Sequence, residues 1–139
     1  MAWLLDTNIL SELRRPRPEP KVVEFIERKP LSELYVSVVT ISELRFGIEL
    51  AGDPIRRMAL SDWLASQVRP MFDSRILPIT EDVMLTWRLL VEDGRKIGHT
   101  HSQPDLIIAA TAIHFGHTIV TRDEKGYSRT GVAIINPWE

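Results

Sequence analysis

The sequence predicts an α/β protein in which a central parallel sheet is covered by helices on both faces, an α/β/α sandwich. Three observations predict it. Short apolar, β-branched segments alternate with helical segments of ten residues or more, the pattern of βαβ crossovers. The segment Leu106 to Ile113 is apolar on every side, as a helix buried against a sheet must be. The 139 residues, 44% hydrophobic and 26% charged, can build one core and not two, and no repeat or linker divides them, so residues 1–139 are read as a single domain.

Ala2-Trp3-Leu4-Leu5 is an apolar strand that stops at Asp6-Thr7-Asn8, three residues able to cap a helix with Ile9, Leu10 and Leu13 on its inner face. Pro16, Pro18 and Pro20 end that helix, and Lys21 to Arg28 shows helical spacing at Val22, Phe25 and Ile26. Leu34 to Val39 is a second strand, with Thr40 as cap of a third helix running from Ile41 to about Ala51 and Glu43 completing a capping box. Asp53-Pro54 opens a helix to about Phe72, with Leu60, Leu64, Val68 and Met71 as its stripe and Met58 and Trp63 off it. Arg75 to Ile79 is a strand, and Thr80 begins a helix bearing Val83, Trp87, Leu90 and Val91, whose end Gly94 and Gly98 loosen. Gln103-Pro104-Asp105 starts the buried helix, which Gly116 stops, and Thr118 to Thr121 and Val132 to Ile135 are the last strands.

Several function classes are excluded early. Without cysteine there is no disulfide, thiol nucleophile or cysteine–metal site, so any metal must sit on oxygen or imidazole. No apolar run approaches the roughly 20 residues of a membrane span, and Asp6 follows the apolar start too soon for a signal peptide, which makes the cytoplasm the simplest compartment. The net charge of −2 does not advertise nucleic-acid binding, and a polyanionic partner needs a local basic surface.

Ligands of open α/β sheets bind beyond the carboxyl ends of the strands. There the sequence places four acids: Asp6 after the first strand, Glu43 one turn into the third helix, Asp105 in the first turn of the buried helix, and Asp123 just past Thr121. Each taken alone fits helix capping or a solvated loop. Together, without sulfur or histidine, they describe a hard oxygen site of the kind Mg²⁺ or Mn²⁺ prefers, and such ions can activate water and hold a phosphodiester for displacement.

The stretches Leu5-Asp6-Thr7-Asn8, Thr40 to Gly47, Pro104 to Ala112, Thr121-Arg122-Asp123 and Ile135-Asn136-Pro137-Trp138, in this order and at this spacing, resemble the PIN-domain ribonucleases. The resemblance is strongest to the VapC toxins and their FitB-like branch, and it covers nearly the whole chain. It implies a Mg²⁺-dependent endoribonuclease with Asp6, Glu43, Asp105 and Asp123 as metal ligands. Thr7 and Asn8 then support the first acid, and Thr121 lines the site as a hydroxyl contact. It further implies a homodimer and an antitoxin partner whose C-terminal segment covers the acidic cleft and whose other end binds operator DNA. Two departures stand out: many relatives have Asn in place of Asp123 and Asp-Phe in place of Gly126-Tyr127.

The remaining candidates are weaker. Arg45 and Arg122, within two residues of proposed ligands, are candidate contacts to RNA phosphates along with Asn8, and Arg14, Arg15, Arg17 and Lys21 form a further basic cluster. His99, His101, His114 and His117 lack zinc-site spacing, although the first two sit in a loop able to touch phosphate. Trp63 and Trp87 read as core or interface residues, and the helix carrying Met58 and Trp63, or its neighbour bearing Trp87, is the expected dimer face. Two rival readings exist. An aspartyl-phosphate hydrolase needs a second acid at the position of Asn8, and an inactive scaffold need not keep all four acids.

Overall fold

The computed structural model describes residues 1–139. Five strands, β1 (Trp3–Leu5), β2 (Leu34–Ser37), β3 (Ile76–Leu77), β4 (Thr118–Val120) and β5 (Ile134–Ile135), pair in parallel in the order β3-β2-β1-β4-β5. The first strand of the chain is therefore the middle of the sheet, with Leu4 opposite Tyr35 on one side and Ile119 on the other. Because every strand runs the same way, the residues that follow them gather along one edge.

The crossovers are α1 (Thr7–Arg14), α2 (Pro20–Glu27), α3 (Val38–Leu50), α4 (Pro54–Trp63), α5 (Arg69–Met71), α6 (Glu81–Lys96) and α7 (Gln103–Phe115). Side chains alternate across each strand, which sorts the core into two layers. Trp3, Leu5, Leu34, Val36 and Val120 join Ile9, Leu10, Val22, Ile26, Ile41, Ile48 and Phe72 on the face covered by α1 to α5. Leu4 and Ile119 point the other way, onto Ile108, Ala109 and Ala112 of α7, against which α6 packs. The three-layer sandwich expected from the strand and helix alternation is what forms.

Local chemistry sets most boundaries. Asp53 caps α4 through Ile55 N (3.1 Å) with Pro54 in the first turn, Thr80 caps α6 through Val83 N (3.2 Å), and Gly116 closes α7 at φ 72°. Three expectations are corrected. The strand β2 stops at Ser37, whose Oγ accepts from Val39 N (3.0 Å), so α3 begins before Thr40 and no capping box forms there; Thr40 is fully buried in the first turn instead. The helix expected from Asp53 to Phe72 is not uniform, since a π-helical turn spans Leu64–Val68 just before Pro70, a residue with no N–H to continue an α-helical ladder. Gly94 does not loosen α6: it is buried inside the helix, and a Cβ there would stand 2.7 Å from the His99 carbonyl oxygen, so it allows the returning loop to close in.

Candidate functional site

A cavity of about 450 Å³ opens at the carboxyl edge of the sheet, and all four acids line it: Asp6, Glu43, Asp105 and Asp123. Asp6 is its deepest member. As N-cap of α1 it accepts Thr7 N on Oδ1 (2.8 Å), while Oδ2 accepts both Thr121 Oγ1 (2.8 Å) and the Tyr127 phenol (2.9 Å). Burial pushes its carboxyl above the usual range, those three hydrogen bonds pull it back, and the charge of Asp123 adds to the rise.

Thr121, fully buried, is the hub that ties chain ends together. While its hydroxyl donates to Asp6, it accepts from Asn8 Nδ2 (3.1 Å) and from Asp123 N (3.0 Å). Asn8 Oδ1 in turn accepts from Arg122 N (3.3 Å), so both ends of the Asn8 amide are committed to holding the loop after β4. Glu43, projecting from α3 at the rim, accepts Thr7 Oγ1 on Oε1 (3.0 Å); partial burial and the charge of Asp6 raise its carboxyl.

Asp105, half-buried in the first turn of α7, is raised to about 6. Loss of solvent is the largest cause, followed by the charges of Asp6, Asp123 and Glu43. None of these four carboxylates is ion-paired with a lysine or arginine; Arg15, which lines the same cavity, is paired with Glu12 instead. An oxygen-only donor set with mutual repulsion and no basic partner fits a hard divalent cation. As the side chains stand, no three of them converge on a single ion position, so a cation here would be held by fewer direct carboxylate ligands and by water.

Sequence reasoning missed Tyr127. Its hydroxyl reaches Asp6 because Gly126 lets the loop press against the acids: a Cβ at Gly126 would lie 2.7 Å from Asp105 Oδ2 and would also collide with the Asp123 carboxylate. The available signal was a lone aromatic in a polar loop immediately after a proposed ligand. Glu12, Arg15 and Trp138 also line the cavity, and Arg122 lies with its guanidinium 5.3 Å from the centre of the Trp138 ring. Arg45 does not belong to this cavity. It stands two residues beyond Glu43, about 200° around the helix, and faces a separate depression with Ser61, Leu64 and Arg69. No histidine lines the cavity; His101 is buried beside Gly94, its ring centre 4.4 Å from that of His99.

The strand order, the ring of acids and the Thr121 hub define the fold, and the profile of the PIN domain matches residues 3–132. The chain belongs to the PIN-domain family. Among relatives, it is 35% identical to the VapC ribonuclease Y4jK of Sinorhizobium fredii, covering 98% of this chain and 97% of that one. It is 35% identical to Toxin FitB of Neisseria gonorrhoeae, covering 97% of each. The crystal structure of FitAcB from Neisseria gonorrhoeae superposes with a TM-score of 0.92 at 34% identity, covering 99% of both chains. Within this PIN domain no helix is long and apolar enough to cross a membrane.

Proposed function

We propose that this PIN domain is the ribonuclease toxin of a toxin–antitoxin pair, an endoribonuclease that hydrolyses RNA phosphodiester bonds at the acid cavity. The observation that carries the reading is the gathering of four carboxylates without a basic partner around one opening at the sheet edge. The names of relatives that match over nearly their full length support it, being ribonucleases and toxins. Asp6, Glu43, Asp105 and Asp123 are the residues to hold a Mg²⁺ or Mn²⁺ ion. When bound, such an ion supplies Lewis acidity to activate water and to neutralise charge on the phosphodiester.

The chain's own residues do the rest. Thr121 and Tyr127 hold the Asp6 carboxylate in one orientation, Asn8 fixes the loop that carries Asp123, and Arg122, braced on Trp138, offers a guanidinium to a phosphate at the rim. The solved structure of FitAB bound to a DNA fragment supports an antitoxin partner here, with operator DNA reached through that antitoxin. A homodimer accords with the apolar surface left uncovered on α3 and α4, where Phe46, Leu50, Ile55 and Met58 are between 64% and 79% exposed. Trp63, expected there, instead packs half-buried against the core.

The test is RNA cleavage with and without chelator. Activity should require Mg²⁺ or Mn²⁺ and leave 5′-phosphate and 3′-hydroxyl ends, because water and not the ribose 2′-hydroxyl is the nucleophile. Cyclic phosphate ends, or full activity in chelator, overturn the reading.

A further inference from the structure

A second hollow, about 470 Å³, adjoins the acid cavity, and the two share a wall: Thr7, Ser11, Arg15 and Glu43 line both. Its far side is formed by Arg14 at the end of α1, Arg56 on α4 and the half-buried Trp63. The Arg14 guanidinium stands 5.8 Å from the centre of the Trp63 ring, a cation–π contact that holds it in place. Neither Arg14 nor Arg56 is ion-paired, and Arg15 is paired only with Glu12. The surface thus changes sign along one continuous trough, from the carboxylates of Asp6, Asp105 and Asp123 to three guanidiniums, with Glu43 at the border.

That change of sign answers a difficulty of the acid cavity. The chain carries a net charge of −2, and a polyanion with one phosphate at the acids would have its neighbouring phosphates repelled by the same floor. Arginines at the adjoining end can take those phosphates, each as a fork of donors. Between them the Trp63 indole and the Arg14 plane form a platform on which a base can stack, and only an unpaired base can leave its own strand to do so. An apolar peptide side chain would fill the floor of the trough but leave the guanidiniums without anions.

We infer that this trough seats the single-stranded RNA adjoining the scissile bond, with Arg14, Arg15 and Arg56 on phosphates and Trp63 under one base. The inference rests on reading the acid cavity as an RNA-cleaving site; it adds the path of the strand and a reason for cutting unpaired RNA.

The experiment is fluorescence anisotropy of a labelled single-stranded RNA of about a dozen nucleotides in Mg²⁺, on an Asp6→Asn background that leaves the RNA intact, over a series of salt concentrations. The double substitution Arg14→Ala, Arg56→Ala should weaken binding at least tenfold and flatten the salt dependence by about 1.4 in log–log slope, two contacts at about 0.7 each. In the cleaving protein the loss should fall on KM. The double substitution Arg88→Ala, Arg95→Ala, an equal charge change at exposed positions of α6, should alter neither quantity. Because Arg14 packs on Trp63, the exposed Arg56→Glu serves as a second variant whose fold is not at risk, and it should weaken binding in the same way. If the chain without these arginine substitutions binds and cleaves RNA while both variants bind equally well with the same slope, the trough inference is overturned and the ribonuclease reading stands. Variants that lose only an antitoxin peptide make the trough a protein seat and overturn it too. A chain that neither binds nor cleaves RNA fails the ribonuclease reading itself.

Discussion

Asp6 and Glu12 sit at opposite ends of α1, both only 5% exposed, and their environments pull them in opposite directions. Glu12 accepts the Glu19 backbone N–H (2.9 Å) and an Arg15 Nη1–H (3.3 Å), and those donors hold its carboxyl below the usual range. It clamps the proline-rich turn between α1 and α2. Asp6 is given neutral donors only, from Thr7, Thr121 and Tyr127, and faces other carboxylates, so its carboxyl is raised. Burial alone therefore does not mark an acid as functional. What distinguishes Asp6 is burial without a compensating cation, which leaves a charge that a proton or an outside cation can balance.

Exchanging each acid in turn should give the largest contrast. Asp6→Asn should lower RNA cleavage by about a thousandfold or more, since it removes one charge from the ligand set. Its thermal midpoint should hold or rise, because repulsion with Asp123 and Asp105 eases. A protein that unfolds near room temperature would make Asp6 structural and erase the contrast. Glu12→Ala should do the reverse, costing about 1–3 kcal/mol by urea denaturation as the Glu19 N–H loses its acceptor, while cleavage changes by far less than in Asp6→Asn.

Acidity sharpens the same comparison. Asp105 is raised to about 6 from its ordinary 3.8, so the folded protein binds its proton more tightly than the unfolded chain does, and the stability this contributes is present below pH 3.8 and lost as pH rises through about 6. The lowered Glu12 contributes with the opposite sign, above its ordinary 4.5 and lost as pH falls. In chelator, Asp105→Asn should therefore match the unsubstituted protein in thermal midpoint near pH 4 and exceed it at pH 7. Mg²⁺ should close or reverse the gap at pH 7. Equal midpoints at both pH values would show that the acids do not strain the metal-free cavity.

The smallest effect is expected of Tyr127→Phe, which deletes one neutral donor and leaves Thr121 on the same Asp6 oxygen. Cleavage should drop by about tenfold or less and stability by about 1 kcal/mol. Calorimetric titration with Mn²⁺ should show a matching loss of affinity; an unchanged affinity would confine the phenol to packing.

The parallel sheet, the succession of strands and helices and the gathering of four acids at one sheet edge are legible in the sequence because they depend on local signals: apolar runs, prolines, caps and the turn after each strand. What escaped depends on the third dimension. Val38 and Val39 favour a strand by composition, yet the Ser37 cap and the burial of Thr40 beside Thr7 start the helix earlier. Arg45 was near Glu43 in sequence and lies on the other side of the helix. Gly94 and Gly126 looked like loosening or mere departure, and both prove to be places where another segment comes too close for a side chain. Tyr127 was hidden because no periodicity governs a loop.

The Asp6–Thr121 hydrogen bond joins residues 115 apart in the chain, across the pairing of β1 with β4. Its consequence is one of timing. Asp6 leaves a ribosome over a hundred residues ahead of the strand that flanks it, the hydroxyl that orients it and the loop bearing Asp123 and Tyr127. A nascent chain still short of residue 118 has β1 bare on one side and no assembled cavity. An acid cavity built this way stays unassembled until the residues through Tyr127 have been made, so the ribosome and the messenger it reads meet no finished cavity before then.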